Sequence, residues 1–444
     1  MKEIFKKILD VLMLLIIFVD FSYNIYIQNF VNLRLTYVFY LVYFIVYIKY
    51  FINITFIKYF VTNFKYLLIV LFFIIVTSIY NIYVDNNTFF LFIKQLVIVC
   101  FTSFVCFMFV YNNKNNLDYI IKLYIQISLI VCCIAIVQEI CWFIGFKSGY
   151  DLSYLIINNQ QISTSGIMLR VTSICGEPPV LAYALIFAIN IAIFRMLTGD
   201  CTFLKHKIQA VILFMGMILT YSTIGYMSMI LSFCFILFWN LKKINLKSCF
   251  LLISVVIIFF CIGKTGITGR IYQTLSSVKI SSVEKNLDIN RTVNLNRSSY
   301  DLAVHFLRAY YDFQENPFIG KGLGSYNYSK NAQKLESFSY MKEIDFSKED
   351  TISFVLKVIS ELGLFGVIVL IIFILFNFIY DFGRKNIKNK YILFNCAALV
   401  YILFRLIRSP TYYTEGMFIF FWLYYFSKQK FLEERAKENI TKYS

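Results

Sequence analysis

Histidine occurs only twice in the chain, at His206 and His305, and no spacing of cysteine and histidine resembles a metal site. Charged residues are also scarce, 15% of the sequence against 59% hydrophobic. A soluble protein of 444 residues could not hide so much apolar surface, so that class is excluded. The first apolar run, near Leu9 to Gln28, follows Lys2, Lys6 and Lys7 as a signal peptide would, but no small-residue cleavage site comes after it. A retained first span is expected. Internal repeats and low-complexity tracts are absent beyond a general Ile/Phe/Tyr/Asn/Lys bias. Cysteine is not scarce, at eleven, yet Cys100, Cys106, Cys132, Cys133, Cys234, Cys261 and Cys396 lie inside apolar runs, where the residue behaves as a small hydrophobe.

What is abundant is apolar sequence in runs of membrane-spanning length. About 20 residues at a rise of about 1.5 Å cross the hydrocarbon core, and such runs recur from end to end. Spans are expected at 8–28, 35–53, 65–83, 90–111, 118–145, 178–197, 206–221, 223–240, 248–264, 352–380, 391–407 and 413–427. The expected fold is therefore all-α, a polytopic integral membrane protein with about twelve helices. As a single helix, 206–240 would measure about 52 Å against a core of about 30 Å, so a break is expected at the polar "TYSTIG".

The net charge of +17 could suggest a nucleic-acid partner, but its distribution argues otherwise. Lysines and arginines gather in alternate loops: Lys58 and Lys65; Lys114; Arg195, Lys205 and Lys207; Lys242, Lys243 and Lys247; Arg384, Lys385, Lys388 and Lys390; and the C-terminal tail. This is the positive-inside bias, and it puts both termini in the cytoplasm. The chain divides into N-terminal helices (1–145), an outer loop (146–177), central helices (178–264), a large outer loop (265–351), C-terminal helices (352–427) and a tail (428–444).

Candidate chemistry lies on the outer side. In "RVTSICGEPPVLAYALIFA", Pro178 and Pro179 suit the first turn of a helix, and Glu177 suits the positive end of its dipole. "GEPP" reads as a helix start. Arg170 reads either as an interfacial anchor or, beside that helix N-terminus, as part of a phosphate site. In "DLAVHFLRAYYDFQE", Asp301, His305, Arg308 and Asp312 share one helical face, and Ala303, Phe306, Leu307 and Tyr310 share another. The polar face reads either as a solvated, ion-paired stripe on a helix lying on the membrane or as a site in which His305 accepts a proton. Arg291 and Arg297 lie just upstream. "GKGLG" lacks the spacing and ending of a phosphate-binding Walker loop and reads as a tight turn. "ELGLFG" places a carboxylate and two glycines in a span, signs of close helix packing and of a functional suspect. Arg405 and Arg408 stand at the outer end of another span, against the positive-inside trend.

Four of these segments together resemble the bacterial O-antigen polymerase and ligase superfamily. "RVTSICGEPPVLAYAL" looks like its Arg-to-Glu-Pro element, and "LTYSTIGYMSMIL" resembles its serine-containing segment. "RAYYDFQENPFIGKGLGSYNY" is similar to its outer-loop arginine helix with a following Pro-to-Gly-x-Gly turn. "DTISFVLKVISELGLFGVIVL" looks like its loop exit and next span. The order agrees over roughly 170–380, while the N-terminal third matches only as generic membrane helices.

The resemblance implies work at the periplasmic face of the inner membrane on undecaprenyl-diphosphate-linked repeat units. A hydroxyl of one unit attacks the anomeric carbon of the growing chain, and undecaprenyl diphosphate leaves. No cofactor or metal is implied. A chain-length regulator and a flippase become candidate partners alongside the lipid bilayer, and nucleic acid does not. By match to the motifs, Arg170 and Arg308 are expected to hold the diphosphate, with Arg291, Arg297, Arg405 and Arg408 as further candidates. Glu177, His305 and Asp350 are the candidate catalytic groups. Ligases of the superfamily generally carry a histidine at the loop exit, where this chain has Asp350 and Thr351. That departure favours polymerase over ligase. A lipid-linked oligosaccharide flippase and a non-enzymatic scaffold are the rivals from other classes. The 87-residue outer loop and sparse intramembrane charge speak against a flippase.

Overall fold

The computed structural model describes residues 2–19, 24–27, 31–85, 89–154, 162–165, 167–198, 203–204, 206–240, 297–326, 353–380, 390–409, 411–412 and 414–443. Its first helix, α1 (Lys2–Val19), stops well short of residue 28. The chain turns instead through an antiparallel hairpin of β1 (Asn24–Ile27) and β2 (Val31–Arg34) before α2 (Leu35–Phe51). Residues 24–27, "NIYI", are apolar enough to extend a hydropathy window, but their β-branched and aromatic side chains suit a strand equally well.

Next come α3 (Ile54–Asp85), α4 (Phe89–Asn112) and α5 (Leu117–Ile144). A short helix α6 (Lys147–Tyr150) and a two-residue hairpin of β3 (Thr164–Ser165) and β4 (Met168–Leu169) lead to α7 (Pro178–Thr198). Helices α8 (Lys207–Leu219), α9 (Thr223–Asn240), α10 (Arg297–Glu315), α11 (Phe354–Asn377), α12 (Lys390–Ile407) and α13 (Met417–Tyr443) complete the order. The expected span at 248–264 lies outside the described residues. The last helix runs on through the expected tail.

Among the described residues six helices are long and apolar enough to cross a membrane: Phe56–Tyr83, Phe89–Asn112, Lys114–Ile144, Pro178–Thr198, Phe354–Asn377 and Lys390–Ile407. This is an all-α multi-pass architecture with small hairpins. Shorter apolar helices at Leu35–Lys49, Lys207–Leu219 and Thr223–Leu237 accompany them. The expected break at "TYSTIG" is present. Thr220 Oγ1 donates to the Met217 carbonyl at 2.7 Å and accepts from the Ser222 N–H at 3.2 Å, while Tyr221 takes φ of +45°.

Helix α7 is the axis of the bundle, with 83% of its most apolar window buried. It packs against α8, α9 and α12, and α12 packs in turn against α13. Aromatic rings fill much of the remaining core. Phe64, where α3 kinks, meets Phe107 and Trp422 edge-on at 5.4 and 5.5 Å, the offset geometry that ring quadrupoles favour. Helix α3 itself buries only 11% of its window and presents an aromatic-rich outer surface.

Candidate functional site

At one end of the bundle α5 ends, α7 starts, α8 turns into α9, α11 starts and α12 ends. The segment carrying Arg170 is fastened there by side chains of α5. Gln138 Oε1 accepts from the N–H groups of Thr172 and Ser173 at 3.2 and 2.8 Å, and Glu139 Oε1 accepts from the Leu169 N–H at 3.3 Å. The Val171 N–H donates to the Leu219 carbonyl at 3.1 Å, which brings the α8–α9 break against the same segment. As "GEPP" leads one to expect, α7 begins at Pro178, and the Glu177 carbonyl accepts its first main-chain bond from Leu181 at 3.1 Å.

Glu177 has an accessible outer edge but sits in a crowded recess beside half-buried Arg170 and Arg408. Desolvation raises its carboxyl above the ordinary range, against the pull of the two guanidinium groups. Arg405, one turn earlier on α12, is 1% exposed. Its Cζ lies 4.1 Å from the centre of the Tyr183 ring, and its Nε donates to the Tyr401 hydroxyl at 3.0 Å. Arg405 is thus clasped by aromatic rings inside the bundle, whereas Arg408 reaches the recess.

The second group is built on α10. Its polar stripe is not solvated: His305, Arg308 and Asp312 are all buried. The expectation of a surface helix with a wet face is corrected by what covers that face. Tyr326 Oη lies 2.6 Å from His305 Nδ1, and Cζ of Arg308 stacks 3.9 Å from the centre of the same ring. Asp312 Oδ2 accepts from Ser360 Oγ of α11 at 2.5 Å. Burial, then Arg308 and Lys357, hold His305 down to about 3. Its imidazole is therefore neutral near pH 7, with one nitrogen engaged, which suits it to orient Tyr326 better than to take up a proton.

The turn that follows α10 is more than a return to the membrane. Helix α11 is broken at Gly363, whose φ of +61° and ψ of −153° belong to a region occupied almost solely by glycine. Main-chain groups freed by the break pair with the turn. The Ser360 and Glu361 carbonyls accept from Lys321 and Gly322 at 2.9 and 2.8 Å. The Leu364 and Phe365 N–H groups donate to the Pro317 and Phe318 carbonyls at 2.8 and 3.1 Å. A Cβ on Gly320 would stand 2.4 Å from the Glu361 carbonyl carbon, so only glycine permits this approach. The far side of the turn is held by α3, where Asn81 Nδ2 donates to the Gly320 carbonyl at 3.0 Å and Ser78 Oγ accepts from the Leu323 N–H at 3.0 Å.

The two groups adjoin through residues 406–412. Ser353 Oγ, just before α11, donates to the Leu406 carbonyl at 3.3 Å, and the Tyr412 hydroxyl donates to Glu361 Oε2 at 2.8 Å. The structure therefore brings Glu177, Arg170 and Arg408 together, and His305 with Arg308. Arg297 opens α10. Arg291 and Asp350 lie outside the described residues. Motif reading did not single out Gln138, Glu139, Tyr183, Tyr326, Lys357 or Tyr412. Glu361 was visible as an intramembrane carboxylate, though without a partner. All but Tyr326 are polar or aromatic residues close to a span end; Tyr326 lies beyond the turn after α10, far in sequence from any described span.

These features define a multi-pass helical membrane protein with arginines, tyrosines and buried carboxylates gathered at one end. Residues 208–371 match the family model described as O-antigen ligase, which supports the O-antigen polymerase/ligase superfamily for this chain. The matched region runs from α8 into α11 and contains α10 and its turn. Members of this family are membrane enzymes of the glycosyltransferase type. A search of curated proteins finds no significant match.

Proposed function

We propose that the protein joins undecaprenyl-diphosphate-linked oligosaccharide units into a surface polysaccharide such as O-antigen, at the periplasmic face of the inner membrane. The observation that carries this reading is the pairing of fixed guanidinium charge with the N-terminus of α7. Arg170 and Arg408 flank Glu177 there, and Arg308 is stacked on Tyr326 nearby. A diphosphate leaving group needs positive charge already in place, and arginine meets phosphate oxygens with a fixed fork.

In the proposed reaction a sugar hydroxyl oxygen bonds to the anomeric carbon of the growing chain. The bond from that carbon to the diphosphate breaks, and its electron pair leaves with the diphosphate oxygen. The hydroxyl proton passes to a carboxylate, and Glu177 suits this step because desolvation raises its basicity. His305 serves in this scheme through Tyr326, keeping the ring under Arg308.

The polymerase reading rests on Asp350 and Thr351, which stand where the superfamily's ligases generally carry histidine. Its rival is the ligase that the matched family's description names, transferring finished polymer to lipid A core. A deletion strain separates the two. We expect core bearing a single repeat unit and no ladder, with the ladder restored by the wild-type gene but not by Arg170→Ala or Arg308→Ala at equal membrane levels. Bare core with polymer accumulating on the lipid carrier would overturn the polymerase reading in favour of the ligase.

A further inference from the structure

The carboxylate of Glu361 is fully buried, and both of its oxygens are used. Oε1 accepts from the Tyr326 main-chain N–H at 3.3 Å, and Oε2 accepts from the Tyr412 hydroxyl at 2.8 Å. The N–H of Gly324 also faces it, and the Glu361 carbonyl accepts from Gly322 at 2.8 Å. Lys357, one turn earlier and itself buried, supplies compensating charge. One residue of α11 thus grips the outer-loop turn at three points, Gly322, Gly324 and Tyr326, and the α12–α13 connection at a fourth. The part of the turn it grips ends in Tyr326, the ring on which Arg308 lies.

We propose that Glu361 is a positioning residue, a strut that fixes Tyr326 between α10 and the α12–α13 connection and so sets the direction of the Arg308 guanidinium. Glu361 does not itself touch substrate, because its oxygens face inward and are occupied. This assignment rests on the reading of Arg308 as a diphosphate ligand. A strut needs an acceptor for Tyr326 and a partner for Tyr412, and its negative charge serves only to balance the buried ammonium of Lys357. A glutamine meets both needs: its amide oxygen accepts from the Tyr326 N–H, and its amide nitrogen donates to a Tyr412 hydroxyl that has turned. Alanine meets neither.

The test combines amide hydrogen exchange on the purified full chain in nanodiscs with ladder formation in the complemented deletion strain. In Glu361→Ala, amides of 321–326 should exchange about 10- to 100-fold faster, the size of losing hydrogen bonds to a charged group. Amides of α7 and α12 should keep their protection, and the ladder should shorten or vanish. Glu361→Gln combined with Lys357→Met, which removes both charges of the buried pair together, should stay within roughly threefold of wild type in both measurements, a difference smaller than one ordinary hydrogen bond. Tyr412→Phe, which removes one grip, should fall between, and it keeps the test open if the alanine variant does not accumulate. The paired variant losing its ladder while 321–326 stay protected would overturn the strut, since the charge itself would then be acting. Unchanged exchange in Glu361→Ala would overturn it as well. Bare core in the deletion strain would overturn the polymerase reading alone, and the exchange measurement would still decide the role of Glu361.

Discussion

His305 has its Nδ1 against the Tyr326 hydroxyl and feels the charges of Arg308 and Lys357, and its burial leaves little water to share a proton's charge. Its folded pKa of about 3 lies below the ordinary 6.5, so the unfolded or undocked state binds the proton more tightly. Stability from this site is therefore complete above pH 6.5 and is lost as pH falls toward 3, at about 1.4 kcal/mol per unit within that window. We expect docking of α10 to weaken by roughly 2 kcal/mol between pH 7 and pH 5, seen as about a 30-fold loss of amide protection over 302–312 after correction for intrinsic exchange. His305→Gln should flatten that acid limb, and an equal limb in the variant would locate the titration elsewhere. The sequence showed His305, Arg308 and Asp312 on one stripe of a helix but not that the stripe is covered. A charged stripe ordinarily faces water. The residues that cover it, Tyr326, Ser360 and Lys357, come from other segments, and spacing within one helix says nothing of them.

At the scale of elements, the break in α11 and the turn after α10 complete each other. Only the turn was legible, as "GKGLG"; the glycines of "ELGLFG" read as close helix packing in an unbroken span, not as a break. Their meeting was not legible, because a broken helix and a turn each look complete until main-chain partners are counted. The α8–α9 break was legible, because a 35-residue helix is too long for a bilayer and "TYSTIG" is polar. The early end of α1 was not, since hydropathy does not separate a strand from a span. Two glycines of positive φ give a test of the α11 junction. A Cβ at Gly363 would meet the Gly320 nitrogen at 2.7 Å and the Pro317 carbonyl oxygen at 2.8 Å, whereas a Cβ at Gly145 would meet nothing within 4 Å. Gly145→Ala should cost about 1–2 kcal/mol, the left-handed conformation alone. Gly363→Ala should cost more than about 3 kcal/mol locally and free the 317–322 turn. Protease access at that turn reads the difference, and equal access in the two variants would mean that the turn is held by something other than the break.

At the scale of the whole molecule, lysine and arginine asymmetry sets an orientation that can be checked directly. Reporter fusions after residue 300 should report the periplasm, and fusions after 245, 387 and 440 the cytoplasm. A cytoplasmic signal at 300 would remove the proposed mechanism, since lipid-diphosphate sugars would then lie across the membrane from Arg308. Multi-pass architecture was the most legible property of the chain, because apolar runs of membrane length, repeated from end to end, do not suit a chain that must face water. The division of labour among the helices was not: α7 and α3 have similar mean hydropathy, yet one is the buried axis and the other is largely uncovered. The junction between α11 and residues 317–322 also bears on how the chain is made. The turn precedes α11 in synthesis and, in the expected orientation, has already crossed when the broken helix reaches the lipid. Released alone, that helix could close its own ladder instead: Leu364 and Phe365 stand four residues after Ser360 and Glu361, so a straight turn through Gly363 would pair the same four groups with one another. The break is therefore an exchange, in which bonds within α11 are given up for bonds to the turn. A chain altered at residues 317–322 should still insert, with α11 running straight past Gly363.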